Sequence, residues 1–304
     1  MDLKTVDTLP KQKLHELILQ IIFSPILAVI GLVVAWGLTH PKRNKVKGNP
    51  AKHGMTFQDI VFKSADHKTN LKGWLMEAAN PVGTIIFSHG YRGSRTKSPI
   101  NSLKLAKHYV EKGYNVLSFD YRNCGESEGN KSTVGALESK DLIGAIQYIK
   151  RNMTYKKIIL MGWSTGGACA IMAAAKENVD AIIADSAFDN LETYLDDCLS
   201  EWTNLPKLVN PFILFFFPIL SLGYHPRMVN PSKSLDKINC PVYFIHNQND
   251  EKVPHTCSVR MHQAYQGVKK LWITSKGGHV KNHLSNQDYL INIDDFLDEA
   301  VKGS

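Results

Sequence analysis

Gly162-Trp163-Ser164-Thr165-Gly166-Gly167 constrains this chain more than any other segment. An apolar run, residues 158–161, leads into it, and an Ala-rich stretch of helical composition, residues 168–176, follows. A strand, a sharp turn and a helix in that order are the setting of a nucleophile elbow, G-x-S-x-G. Glycine on either side of Ser164 lets the backbone turn where a Cβ would clash. The turn lifts the Ser164 hydroxyl above the sheet edge and aims the next N–H, that of Thr165, at the same spot.

The rest of the chain is consistent with a sheet that could carry such a turn. Residues 57–64 and 71–78 read as a pair of strands with a turn at 65–68. Further strands are predicted at 84–88, 115–119, 157–161, 181–184, 242–246 and 271–274. Helical periodicity fills 101–112, 137–151 and 288–302, with Gly113 as a stop signal. Strands alternating with helices predict an α/β fold whose eight-stranded, mostly parallel sheet is covered on both faces. With 304 residues, 43% of them hydrophobic, the chain is long enough for one such domain with a large core. Its five cysteines are scattered and never in C-x-x-C spacing, so buried free thiols are expected rather than a disulfide framework.

The net charge of +8 is unevenly placed. Residues 41–52 hold Lys42, Arg43, Lys45, Lys47 and Lys52 without an acid, while residues 53–304 carry 28 basic against 25 acidic residues. One short cluster argues against a nucleic-acid groove and for a patch beside a membrane. Just before it, residues 17–38 read LILQIIFSPILAVIGLVVAWGL, with no charge. As a helix this run spans about 33 Å, enough for a hydrocarbon core of about 30 Å. No A-x-A site follows it, which argues against a cleaved signal. The sequence therefore predicts an N-terminal tail at 1–16, a transmembrane helix at 17–38, a basic linker at 39–55 and a catalytic-type domain at 56–304. Five basic residues after the span against three before it place that domain in the cytoplasm.

One segment breaks the alternation. Residues 204–224 contain VNPFILFFFPILSLGY, interrupted by Pro211 and Pro218 and too short for a span. It is expected to form a cap insertion, at about 189–235, over the serine. Its apolar residues serve either as packing or as the wall of an acyl pocket. FILFFF has no clean period to say which side faces in.

A serine hydroxyl needs a base within reach and a carboxylate to orient that base. Past the seventh strand the chain reads HNQNDEKVP, placing Asp250 on a loop. Past the eighth it reads SKGGH, placing His279 after two glycines. Ser164, Asp250 and His279 thus occur in order, each just beyond a strand. Asp185 and His283 are the rival acid and base. His279 and His283 stand at i, i+4 without the glutamate of a zinc-binding H-E-x-x-H, so no metal site is expected. The backbone N–H groups of Tyr91 and Thr165 are the candidate oxyanion donors, with Gly90 permitting close approach and His89 bracing the loop.

The segments HGYRGS, DYRNCGES (residues 120–127), GWSTGG, ADSAF, NDEKVP and GGH together resemble the α/β-hydrolase superfamily. The likeness runs over residues 56–302 and is nearest to membrane-anchored hydrolases of the prolyl-oligopeptidase-like and serine-aminopeptidase-like branches. It implies a Ser-His-Asp hydrolase without metal or organic cofactor, and a structural turn at 120–127. Asn247 stands where relatives often carry glycine. The expected activity is cleavage of carboxylic esters or thioesters of small-molecule or lipid-like acyl substrates, or of acylated proteins. Aminopeptidase or amidase activity, and a silent binding protein of the same fold, are the alternatives.

Overall fold

The computed structural model describes residues 11–96, 100–154 and 157–302, with side chains from residue 24 to residue 300 of these. Eight strands form one sheet: β1 (Gln58–Lys63), β2 (Asn70–Met76), β3 (Gly83–Ser88), β4 (Tyr114–Phe119), β5 (Ile158–Trp163), β6 (Ala181–Asp185), β7 (Val242–Asn247) and β8 (Lys269–Thr274). Their order is β1-β2-β4-β3-β5-β6-β7-β8. The β1–β2 and β2–β4 pairs are antiparallel and all others parallel. Every residue of β3, β4, β5, β6 and β7 is buried. That is why these strands read as unbroken apolar runs, as strands covered on both faces do. Edge strand β1 instead alternates: Ile60 and Phe62 point inward while Asp59, Val61 and Lys63 face water.

Helices cover both faces. They are α2 (Ser102–Glu111), α3 (Glu138–Asn152), α4 (Thr165–Ala174) and α8 (Thr256–Ala264), followed by the short α9 (Asn282–Ser285) and by α10 (Tyr289–Leu297). One buried cluster joins Leu117, Leu142, Leu160 and Phe244 with α3 and α4. A second joins Met76, Phe87, Tyr109 and Trp163 with α2 and α10. The five cysteines are free and buried.

Between β6 and β7 lie α5 (Leu191–Thr203), α6 (Asn210–Leu220) and the single turn α7 (Pro231–Ser234). In α6, Ile213 and Phe217 are buried while Phe215 and Ile219 are each 63% exposed. Both pairs stand four residues apart, so α6 has a distinct inner face. Its apolar residues run all the way round, which is why the sequence does not reveal that face.

The first helix, α1 (Lys11–Thr39), contains the predicted transmembrane run. Side chains 17–23 of that run, and residues 1–10 of the predicted tail, lie outside the described residues. Among the described residues no helix is long and apolar enough to cross a membrane. The described part of α1 is not free-standing. Ala35 is fully buried in a third cluster with Phe188, Val209, Ile213 and Phe217, and Leu27, Ile30, Val34 and Leu38 pack against it. Gly31 sets the approach to α6, because a Cβ there would lie 2.5 Å from Cβ of Phe212. Gly31→Leu is therefore expected to lower stability by about 1–3 kcal/mol through overpacking. Gly37→Leu, at a position with no atom within 4 Å of an added Cβ, should leave it nearly unchanged. Thermal unfolding of the full chain in detergent reads the difference, and equal midpoints would mean that this contact does not hold in solution.

Candidate active site

The elbow is built as the glycines require. β5 ends at Trp163, Ser164 sits at φ 55°, ψ −124°, and α4 starts at Thr165. A left-handed φ on a residue with a side chain costs of order 1–3 kcal/mol and persists only where the surroundings impose it. Here they do. The Ser164 N–H donates to the Asp185 carbonyl at 2.8 Å. A Cβ on Gly162 would lie 2.4 Å from the Gly166 carbonyl oxygen, and one on Gly166 would lie 2.0 Å from that of Ser88. Ser164 itself is 9% exposed.

Two loops bring their side chains to this serine. His279 Nε2 lies 3.0 Å from Ser164 Oγ. Its Nδ1–H donates to Asp250, at 2.8 Å to Oδ2 and 3.1 Å to Oδ1. The His279 loop needs its glycines: Gly277 and Gly278 have φ of 129° and 145°. Glu251 steadies the same loop by accepting the His279 N–H at 3.1 Å. Burial favours the neutral form of Asp250, but hydrogen bonds from His246 and His279 outweigh it, and the carboxyl lies well below the usual carboxylate range. Asp250 is thus ionised and its partner His279 is oriented toward the serine.

His246 contributes to this arrangement without any sequence motif to announce it. Fully buried, it has Nδ1 at 2.7 Å from Ser258 Oγ and Nε2 at 2.9 Å from the Val253 carbonyl and 3.3 Å from Asp250 Oδ2. The only available signal was its place four residues before Asp250. Asn247 donates through Nδ2 to Thr274 Oγ1 at 2.8 Å and ties the acid loop to β8.

Asp185 and His283 are not at the serine hydroxyl. Asp185 is fully buried and accepts from Ser186 Oγ, Asn282 Nδ2 and Tyr289 Oη at 2.8, 2.7 and 3.0 Å. Burial raises its pKa, and the three donors partly offset this. Asn282 lies three residues past His279, so this network holds the histidine loop down from behind. His283 packs its ring 5.9 Å from that of Tyr289.

Opposite the elbow, the loop after β3 comes within contact of the serine. A Cβ on Gly90 would sit 3.3 Å from Ser164 Cβ and 3.2 Å from the Trp163 carbonyl oxygen. Tyr91 follows Gly90 in this loop, and Thr165, directly after the serine, is the first residue of α4. His89 braces this loop: Nδ1–H donates to the Gly90 carbonyl at 2.8 Å and Nε2 accepts from the Tyr121 N–H at 3.1 Å. Tyr91 reaches away from the site, and its hydroxyl donates to the Leu38 carbonyl at 2.7 Å, at the end of α1. The chain beyond α1 follows the same surface, with the Ser132 N–H donating to the Thr39 carbonyl at 2.7 Å and Arg43 binding the Ser127 and Gly129 carbonyls.

A serine on a strained elbow after the fifth strand of such a sheet, with histidine and aspartate on the last two strand loops, is the layout of one class of protein. The chain belongs to the α/β-hydrolase superfamily. A family described by the alpha/beta hydrolase fold matches residues 83–224. The uncharacterized protein YqkD of Bacillus subtilis is 31% identical over 234 residues, 75% of each chain. The lysophosphatidylserine lipase ABHD12 of Danio rerio is 26% identical over 64% of this chain and 50% of its own. Among solved structures, the Pyrococcus furiosus esterase Pf2001 is similar with a TM-score of 0.70 and 25% identity, covering 86% of this chain and 98% of that one.

Proposed function

We propose that this chain is a membrane-anchored serine hydrolase that cleaves carboxylic esters or thioesters of acyl, lipid-like substrates. The observation that carries the reading is the continuous hydrogen-bonded line from Asp250 through His279 to Ser164 Oγ. Ser164 Oγ attacks the acyl carbonyl carbon while its proton passes to His279 Nε2. The oxyanion takes hydrogen bonds from the N–H groups of Tyr91 and Thr165. The carbonyl re-forms, the bond to the leaving alcohol or thiol breaks, and that group takes the proton from His279. Water, deprotonated by His279, then releases the acid and restores Ser164. Asp250 keeps the imidazole in the tautomer this requires. No step calls on a metal or an organic cofactor.

Likeness to an esterase and to a lysophosphatidylserine lipase supports the acyl substrate class. The uncharged run 17–38 supports the anchor, with residues 41–52 on the cytoplasmic side. Exposed apolar residues add to it: Ile26, Val29, Val33 and Trp36 on α1, and Phe215 and Ile219 on α6. The inner face of α6, at Ile213 and Phe217, is the wall we assign to the acyl chain. Each methylene buried there contributes about 0.8 kcal/mol. Four additional methylenes realised in the transition state raise kcat/KM by about two orders of magnitude. A series of chromogenic esters from acetyl to octanoyl, assayed on the full chain in detergent, is expected to show that rise. Equal rates along the series would remove the lipid-like substrate while leaving the esterase.

A further inference from the structure

Away from the serine, a concave groove of about 650 Å³ opens on the α3–α4 side of the sheet. It lies between the end of α4 and the segment that joins the cap to β7. Lys140 of α3, Lys176 just past α4, and Arg227, Lys233 and Lys237 of the joining segment all line it. Among the described residues none of these five cations takes part in an ion pair, and Lys140 alone of them donates to a neighbouring side chain, Tyr224 Oη at 3.1 Å. The one acid in the lining, Asp66, is already held by Arg122 at 3.3 Å and by Ser64 Oγ and the Lys68 N–H. Half-buried Ile143 and Met172, with the exposed Met228, add apolar surface to the lining.

Surface lysines ordinarily stand among acids of opposite sign, which keeps their mutual repulsion small. Outside the basic linker this chain is nearly balanced in charge. A concavity with five cations facing one committed carboxylate departs from that balance. Like charges gathered around a partly apolar lining repel, and a multivalent anion placed among them relieves the repulsion at every pair. Lys and Arg are also the side chains that bind phosphate, as point charge and as planar fork. The volume lies within the range of small-molecule sites. α4 places this groove roughly 15 Å along its axis from Ser164, so it is separate from the triad.

We infer that this groove is a second binding site, for a phosphate-bearing anion. The phosphate is either free in solution or part of a lipid headgroup, and the same cations read both. Bound there, it would bridge the core helices, through Lys140 and Lys176, to the joining segment, through Arg227 and Lys233. Neither the groove nor its occupancy depends on the hydrolase reaction.

The test uses the full chain in neutral detergent and the double variant Lys176→Glu, Lys233→Glu. Both positions are exposed, and neither belongs to the catalytic machinery. Unchanged hydrolysis of a short ester shows that the variant is folded, and Lys176→Gln, Lys233→Gln serves as a milder replacement should it not be. One arm titrates pyrophosphate by calorimetry. The other measures partition of the chain onto phosphatidylcholine vesicles with and without phosphatidylglycerol. Pyrophosphate binding that weakens tenfold or more in the variant assigns the free anion. A tenfold loss confined to the phosphatidylglycerol arm assigns the headgroup, the linker and α1 being present in both proteins. Wild type and variant alike in both arms would overturn the site.

Discussion

Ser164→Ala is expected to abolish labelling by a fluorophosphonate probe and to lower ester turnover by roughly 10⁴ or more, with the fold intact. The Oγ is the only atom removed, and its partner is one nitrogen, His279 Nε2, at 3.0 Å. Alanine at the same φ keeps the strain of the elbow but adds none, so the thermal midpoint should stay close to that of the parent. The experiment pairs gel-based labelling with a melting curve. An alanine variant that labels as strongly as the parent would transfer the nucleophile to another residue.

The second large effect separates Asp250 from its rival Asp185. Asp250→Asn should cut turnover by about 10⁴, because the amide no longer selects the Nδ1–H tautomer of His279. Asp185→Asn should act chiefly on stability, since Asp185 meets Ser186, Asn282 and Tyr289 rather than the imidazole. The pH dependence gives a second readout. The folded carboxyl of Asp250 lies below its unfolded value of about 3.9, so its contribution to stability is complete at higher pH. That contribution is lost as the pH falls below about 4 toward the folded value. Asp250→Asn should therefore flatten the acid side of the stability profile. An inactive, normally melting Asp185→Asn would reverse the two roles.

Local patterns carried the sheet. Residues 158–161 and 242–246 are apolar throughout because β5 and β7 are covered on both faces, and the turn at 162–166 can be made only with glycine at both ends. The order of Ser164, Asp250 and His279 was legible because each follows a strand directly. What stayed hidden depends on contacts between distant segments. His246 carries no motif, and its role rests on a carboxylate one helical turn's spacing away on a loop whose shape only the fold supplies. The inner face of α6 was hidden because an all-apolar helix has no polar side to mark its outside. The uncharged run marks α1 as apolar along its length, but not that Gly31 and Ala35 are spoken for by Phe212 and the cap.

That docking has a mechanical consequence. Ser164 follows β5 directly, and Asp250 and His279 stand on the loops that leave β7 and β8. The loop bearing Tyr91 is fastened at two ends: to the sheet through β3 and His89, and to the end of α1 through the Tyr91 hydroxyl on Leu38. α1 is thus a strut packed on the domain as well as the anchor proposed above. A chain shortened to begin at Lys42 loses the strut, its seat on α6 and the fastening of Tyr91 together, and is a different machine from the full-length protein, not the same one set loose from its moorings.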